Sequence, residues 1–473
     1  MTDKVMDLHL DPLSLEKIAE ACGGTYIGAE ELKSAVITGA ATDSREVKEG
    51  YLFAAIPGER VDGHKFIPQT FEKGALCALS QKKLENPSGP YILVENTVEA
   101  LQKIASFYRD SLTIPVIGII GSVGKTSTKE MVASVLSQKY DVLKTSGNLN
   151  NEIGLPLTVL RIHKNHEAAV LEMGISDFNE MHVLGKIAKP DAVVMTNIGQ
   201  CHLEFLKTRD GILKAKTEVF EHMKENGIAI LNGDDDKLVT KKEVNGKAPV
   251  FYGLGEESDL DGIHTVKQIY ADRVENLGFD GMRAEFHTPA GTFTAMIHIP
   301  GAHNVYNALA ATAAGLAYGL TTEEIKAGIE AAETIAGRTN FLHVNGMTVI
   351  DDCYNANPVS MKASLDTLSH GTGRTIAVLG DMGELGADEV KMHAEVGTFA
   401  GEKKIPVLFC AGELAASYAE AAKAENPACD VHYFRTRDEM IPELLAFVKA
   451  GDSILVKASH FMGFPEVVAA LSR

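Results

Sequence analysis

The sequence predicts an α/β protein of three domains: a mixed α/β unit over 1–110, a parallel-sheet unit over 111–321, and a further α/β unit over 322–473. Three observations carry this. At 473 residues the chain is too long for one ordinary core, and about three domains is the natural expectation. From residue 113 apolar strand-like runs alternate with helical segments, the pattern of parallel strands joined by crossover helices. That rhythm then starts afresh at GMTVIDD, 346–352.

The elements follow in order. LSLEKIAEACGG (13–24) reads as a helix stopped by glycines. ELKSAVITGAATDSREVKEGYLFAAIPG (31–58) alternates apolar and polar residues and breaks at turns, as short strands do. VEALQKIASFYRD (98–110) has helical spacing and is expected to carry the chain out of the first domain. In the central domain IPVIGIIG, HEAAVLEMG, PDAVVMTNIG and GIAILNGDD are the expected strands, and HNVYNALAATAAGLAYGL (303–320) is a long Ala-rich helix. TTEEIKAGIEAAETIAG reads as a helix leading into the third unit, whose strands are GMTVIDD, RTIAVLGDM, IPVLFCAG and DSILVKAS.

Composition removes several classes of function. An apolar share of 45% with 23% charged residues is that of a soluble globular protein. A net charge of −19 speaks against a nucleic-acid binder that relies on a basic surface, though not against a local anion site. The six cysteines are scattered and form no C-x-x-C pair, as expected of reduced intracellular thiols. The N-terminal stretch is charged and lacks a secretion signal, and no apolar run is long enough to span a membrane, so a cytoplasmic protein is expected.

One stretch carries chemistry on its own. GIIGSVGKTSTKEM (118–131) runs from a buried-strand pattern into a helix with Met131, Val132, Val135 and Leu136 on one face. The strict phosphate-loop spacing fails, because Ile119 stands where its first glycine belongs. The context is nonetheless right. A strand-to-helix turn aims free backbone N–H groups at an anion. Gly121 and Gly124 let the backbone approach it, Lys125 brings a cation to the outer phosphates, and Thr126 offers a hydroxyl to Mg²⁺. Gly121, Ser122, Val123, Gly124, Lys125, Thr126 and Ser127 are therefore candidate nucleoside triphosphate contacts. This alone does not separate a switch, a motor, a kinase and a ligase. Neither an N-K-x-D motif nor a long coiled coil supports a switch or a mechanical ATPase.

The loop G-S-V-G-K-T-S-T-K-E-M resembles the ATP loop of the Mur ligase family, in which G-x-x-G-K-[ST] replaces the strict motif. Further stretches are similar to that family in order: GNLNNEIGLPLTVL (147–160), LEMG (171–174), TNIGQCHLEFL (196–206), KAKTEVF (214–220), PGAHNVYNALAA (300–311) and GRTNF (337–341). TDSREVKEGYLFAAIPGERVDGHKFI (42–67), DDCYNANPVSMKASL (351–365) and VLGDMGELG (378–386) resemble the branch that adds D-alanyl-D-alanine. One stretch departs from that branch. VKASHFMG (456–463) has Ala458 and His460 where glycine and arginine are usual.

The resemblance implies a UDP-sugar-binding N-terminal domain, a central ATPase domain and a Rossmann-like C-terminal domain. It implies an ATP-dependent amide ligase that joins D-alanyl-D-alanine to a UDP-N-acetylmuramoyl tripeptide, through an acyl phosphate, in cytoplasmic cell-wall precursor synthesis. Both partners are small molecules; nucleic acid and membrane insertion are not expected, and a monomer is. By resemblance Lys125 meets the phosphates, and Thr126 and Glu172 hold a first Mg²⁺. His202 holds a second, with Lys216 joining as a carbamate made with CO₂. Asn304 and Arg338 are implied nucleotide contacts. Asp352, Asn355 and Asn357 would hold ribose and adenine. Ser44 and Arg45 would meet the UDP end, and Asn148 and Asn151 lie in the substrate-side loop.

Taken as residues alone, these positions differ. Glu172 at the end of an apolar strand is hard to explain by packing. His202 alone reads as structural, and Lys216 alone as a solvated helix lysine. The choice of Lys216 over Lys214 rests on the alignment. Lys129 and Glu130 are expected to form a surface pair on the helix. Asp234–Asp236 is expected to cap a turn rather than hold a metal, and nothing beside Cys201 supports a thiol enzyme.

Overall fold

The structure is a computed structural model and describes residues 13–58 and 61–473; the first half of the charged N-terminal stretch lies outside the described residues. The first domain holds five strands, β1 (Thr25–Ile27), β2 (Gly39–Ala41), β3 (Tyr51–Ala54), β4 (Cys77–Ser80) and β5 (Tyr91–Leu93). They lie in the order β1-β5-β4-β3-β2, parallel except for β1. The expected first helix runs over Leu15–Cys22 and ends at Gly23 in the left-handed region, where glycine avoids a Cβ penalty. Asn96 caps the exit helix Thr97–Ser111.

The central domain is built on a nine-stranded sheet. Its strands are β6 (Val116–Ile120), β7 (Val142–Lys144), β8 (Ala168–Glu172), β9 (Ala192–Met195), β10 (Ile228–Asn232), β11 (Val250–Leu254), β14 (Ile269–Asn276), β15 (Met282–Thr288) and β16 (Gly291–Ile297), with a hairpin of β12 (Glu257–Leu260) and β13 (Ile263–Val266) beside it. The order is β16-β15-β14-β11-β10-β9-β6-β8-β7. From β14 to β7 the pairs are parallel; β14, β15 and β16 form an antiparallel extension. That extension was not anticipated from sequence. Its strands bury alternate residues, whereas all five residues of the central β6 are buried, as both faces of a parallel sheet demand.

The helix Lys125–Leu136 buries the predicted Met131, Val132, Val135 and Leu136. The Ala-rich helix His303–Ala317 packs on it, and Thr128 Oγ1 donates to Asn307 Oδ1 at 2.7 Å. The next helix, Thr322–Glu330, begins with a capping box between Thr321 and Glu324. Its Ile325 and Ile329 belong to the same core as Val135. At Gly328 an added Cβ would lie 2.4 Å from Val135 Cα. This helix was expected to open the third domain at residue 322; instead it packs on the central one, because its apolar face finds partners there.

The third sheet begins at β17 (Asn340–Val344) and continues with β18 (Met347–Asp351), β19 (Thr375–Gly380), β20 (Val407–Ala411), β21 (Asp430–Phe434) and β22 (Ser453–Lys457). The order is β17-β18-β22-β19-β20-β21, parallel except at the β17 edge. Among the described residues, no helix is long and apolar enough to cross a membrane.

The first and second domains are tied by one buried cation. The Arg109 guanidinium, at 0% exposure, donates to the carbonyls of Ala188 (2.8 Å), Leu112 (3.0 Å) and Lys189 (3.1 Å) and to Asp191 Oδ2 (2.8 Å). Arg109→Met fills the volume but takes this donor from three carbonyls and leaves Asp191 Oδ2 with the Val116 N–H alone. The expected cost is about 3 kcal/mol, the low end for breaking a buried pair because Asp191 keeps some solvent. A lowered thermal midpoint is the measurement; an unchanged one would show the tie to be dispensable.

Candidate active site

The phosphate loop is shaped by contact with the end of β9. At Gly121 a Cβ would fall 1.9 Å from Thr196 Oγ1, so the close approach requires glycine. Thr196 Oγ1 and Asn197 Nδ2 both donate to the Val123 carbonyl, at 2.6 and 3.0 Å. The Val123 N–H donates back to Asn197 Oδ1 at 3.0 Å, and the Ser122 N–H to the Asn197 carbonyl at 3.0 Å. Gly124 caps the following helix at φ 84°, a left-handed conformation that favours glycine. The helix N-terminus therefore opens onto the loop with unpaired N–H groups and its positive dipole end.

Two lysines meet at one acceptor. Lys125 Nζ and Lys216 Nζ donate to the carbonyl of Gly121 at 3.0 and 3.1 Å. Lys216 ends a helix, Arg209–Thr217, that Thr208 caps. Its side chain is fully buried, and that burial pushes its ammonium down to about 8. Lys214, two residues earlier, is exposed.

Glu172 ends β8, beside Ile119 of β6, and is 2% exposed. Its Oε1 accepts from Asn150 Nδ2 at 2.8 Å, while its Oε2 is shielded from water and has no hydrogen-bond partner. The nearest cation to Oε2 is Lys129 Nζ, at 4.0 Å. Lys129 was expected on the surface with Glu130. It is instead buried, donating to the Thr145 carbonyl at 2.8 Å and pairing with Glu130 Oε1 at 2.9 Å. Its helix turns that residue toward the β7–β8 side of the sheet.

Residues 122–127 of the loop and Glu172 line a cavity of ≈ 840 Å³ shared by all three domains; Lys129 and Lys216 do not line it. Val98 enters it from the first domain; Arg338, Thr339, Asp352, Tyr354, Asn355, Asn357 and Lys457 close it from the third. The Arg338 guanidinium lies 4.2 Å from the centroid of the Tyr354 ring. Asp352 accepts from the Thr339 N–H at 3.0 Å and from Lys457 Nζ at 2.7 Å. Asn355 gives its carbonyl to Lys457, and Asn357 caps the helix Pro358–Ser369, so the Asx-rich turn is structural as well as cavity-lining. His202 also lines the cavity, with Nδ1 at 2.8 Å from Glu384 Oε2.

Some expected contacts lie elsewhere. Asn148 is exposed and outside this cavity; Asn150 and Asn151 line it. Asn304 is turned inward, its amide donating to Pro300 O and its carbonyl accepting from Asn307, both at 2.8 Å. It lines a small neighbouring cleft, while His303, Tyr306 and Asn307 face the main cavity. Ser44 and Arg45 are outside it too. Arg45 is exposed and forks onto Asp43, which its hydrogen bonds pull down to about 2. Asp235 caps a turn, accepting from the N–H groups of Lys237 and Leu238, while Asp234 pairs with Lys267 and Asp236 with Arg209. The run does not converge on one ion. Tyr306, Asn307, Tyr354 and Lys457 were not singled out from sequence. Asn307 had a signal, one helical turn after Asn304; Lys457 lay inside VKASHFMG, a stretch singled out for Ala458 and His460 alone.

The donor set fits Mg²⁺. A shielded, unpartnered carboxylate oxygen at Glu172 and the buried hydroxyl of Thr126 are hard oxygen donors on one cavity wall.

Comparison with known proteins agrees with this geometry. Family models described as Mur ligase family, catalytic domain; Mur ligase middle domain; and Mur ligase, glutamate ligase domain match residues 36–109, 119–315 and 337–460. The UDP-N-acetylmuramoyl-tripeptide–D-alanyl-D-alanine ligase of Bacillus subtilis is 38% identical over 97% of this chain and 98% of its own. The chain belongs to the Mur ligase family. Among solved Mur ligases, MurF from Acinetobacter baumannii superposes with a TM-score of 0.87 at 32% identity, covering 98% of this chain and 99% of that one. MurF ligase from Thermotoga maritima, solved in complex with ADP, gives 0.79 at 30% identity, covering 92% and 97%.

In this Mur ligase, Gly121→Ala drives a methyl group into Thr196 and displaces the loop. Overpacking of this kind costs about 1–3 kcal/mol, so ADP should bind about tenfold more weakly or worse. Calorimetric titration with ADP is the check, and unaltered affinity would contradict the close approach at Thr196.

Proposed function

We propose that the chain is an ATP-dependent, ADP-forming amide ligase that adds D-alanyl-D-alanine to a UDP-N-acetylmuramoyl tripeptide. One observation carries the reading: a phosphate loop and a buried carboxylate with an unpartnered oxygen line one cavity closed by another domain, and a fully buried lysine reaches the carbonyl of the loop's Gly121. The names of the Bacillus subtilis relative and of its Escherichia coli counterpart, 33% identical, support the same substrates.

The chemistry needs those residues. A peptide carboxylate is a poor electrophile, so its oxygen first attacks the γ-phosphorus of ATP and ADP leaves. The amino group of the dipeptide then attacks the acyl phosphate, phosphate departs, and the amine loses its proton. Two anions must meet in the first step, so cations and positioning dominate. Lys125 and the N–H groups of the loop neutralise and orient the phosphates. Two Mg²⁺ ions, one at Thr126 and Glu172 and one at His202 and Lys216, would add charge neutralisation at the phosphate and the carboxylate. Lys216 can take part only as a carbamate, because an ammonium repels Mg²⁺. Carbamylation consumes a neutral amine and CO₂ and releases a proton. A lysine brought down to about 8 by burial keeps a neutral fraction near physiological pH that an exposed one lacks.

Around this centre, residues 1–110 serve the UDP end, with Ser44 and Arg45 as anion contacts once Arg45 leaves Asp43. Asn148 and Asn151 border the tripeptide. Arg338, Asp352, Asn355 and Asn357 frame the nucleotide, and Asn304 holds Asn307 toward it. The enzyme works as a monomer in the cytoplasm.

Three measurements bear on this. ADP release should require both the UDP-tripeptide and D-alanyl-D-alanine; ATP hydrolysis indifferent to either overturns the reading. Lysine- and diaminopimelate-containing tripeptides assayed side by side would name the acceptor. Lys216→Ala should lose activity by more than about 100-fold, beyond what removing an outer-sphere partner costs, and regain part of it in formate or acetate. Failure of rescue at saturating carboxylate would remove the carbamate.

A further inference from the structure

The pair His202–Glu384 joins two domains at the cavity. His202 lies just past the end of β9, at the head of the short helix Leu203–Leu206. Glu384 lies past the end of β19, before the turn Gly386–Asp388. Both residues are held in the left-handed region, at φ 51° and φ 61°. Non-glycine residues stay there only when their surroundings enforce it, and such strain collects at functional sites.

The surroundings do enforce it. The Met382 N–H donates to His393 Nε2 and the Gly383 N–H to Ser459 Oγ, both at 2.9 Å, and Leu385 is buried in the third domain's core. Leu203, the residue after His202, packs against that same core. The Glu384 loop and the His202 segment are thus fixed from one side by the third domain.

One nitrogen of the histidine faces a carboxylate. Nδ1 is shielded from water, and Glu384 Oε2 is at 2.8 Å, close but off the line of a hydrogen bond. The Glu384 side chain is 57% exposed. A carboxylate at one imidazole nitrogen fixes the proton there and leaves the other as a lone-pair donor. It also orients the ring and raises its basicity toward a metal.

We propose that Glu384 is a positioning residue that reaches from the third domain to Nδ1 of His202 and sets Nε2 as the metal-binding nitrogen. The second cation site is then complete only when the central and third domains are together. This rests on the reading of His202 as a ligand, and the test separates the two.

The probe is Mn²⁺, titrated by electron paramagnetic resonance into the full chain with a non-hydrolysable ATP analogue and the UDP-tripeptide. Glu384→Ala should weaken the looser of two bound ions by about 10–100-fold and leave the tighter one unchanged. Glu384→Gln, which keeps an acceptor oxygen, should lose less. In a His202→Ala background, Glu384→Ala should have no further effect. The thermal midpoint of Glu384→Ala should match the parent, since the side chain is mostly exposed. If His202→Ala loses the looser ion while Glu384→Ala keeps it, this inference falls and the ligand reading stands. If His202→Ala keeps both ions, the ligand reading falls and takes this inference with it. Equal weakening of both ions, or a lowered midpoint, would make Glu384 a structural residue and overturn the proposal.

Discussion

The site depends on how closely the end of β6 approaches the end of β9. Position 121 has no room for a side chain, because Thr196 occupies that space. From this contact follow the hydrogen bonds that fasten Val123 to Thr196 and Asn197, the direction of the Lys125 helix, and the exposure of the Gly121 carbonyl to two lysines. The shortened glycine spacing is therefore a different way of closing the same turn. The Asn197 side chain fastens the turn by pairing with both the N–H and the carbonyl of Val123.

Charge is distributed against the global trend. The chain carries −19, yet four lysines among the described residues are buried: Lys129, Lys216, Lys267 and Lys457. Each is held by at least one backbone carbonyl, so the ammonium is solvated by fixed dipoles instead of water. Three of the four also have a carboxylate nearby: Glu130, Asp234 and Asp352. Lys216 is the exception, with a carbonyl alone. Burial weakens its ammonium and pushes it down to about 8.

Much of the fold was legible in the sequence. Period and length found the buried strands, the Lys125–Leu136 helix and the restart of the α/β pattern, because parallel strands covered on both faces read as apolar runs. The antiparallel β14–β16 extension was missed, since its half-exposed strands look like polar loop sequence. The helix Thr322–Glu330 was assigned forward because sequence order shows a helix but not the face it packs against. In the site, the loop and Glu172 were legible as chemistry on strand ends. Lys129 was not, because an i,i+1 lysine–glutamate pair reads the same whether its helix face meets water or protein. Asn304 and Asn307 share one face, and only packing shows which of the two looks into the cavity.

The docking of Thr322–Glu330 on the central domain shortens the joint between the second and third domains. The chain crosses once, between Glu330 and Asn340, and Gly337 and Thr339 in that crossing have positive φ of 76° and 47°. Arg338 stands between them, inside the joint. The residue that lines the cavity and the torsions that any swing of the third domain must pass through are thus the same few bonds. Any rotation of the third domain about this crossing would carry Arg338 with it.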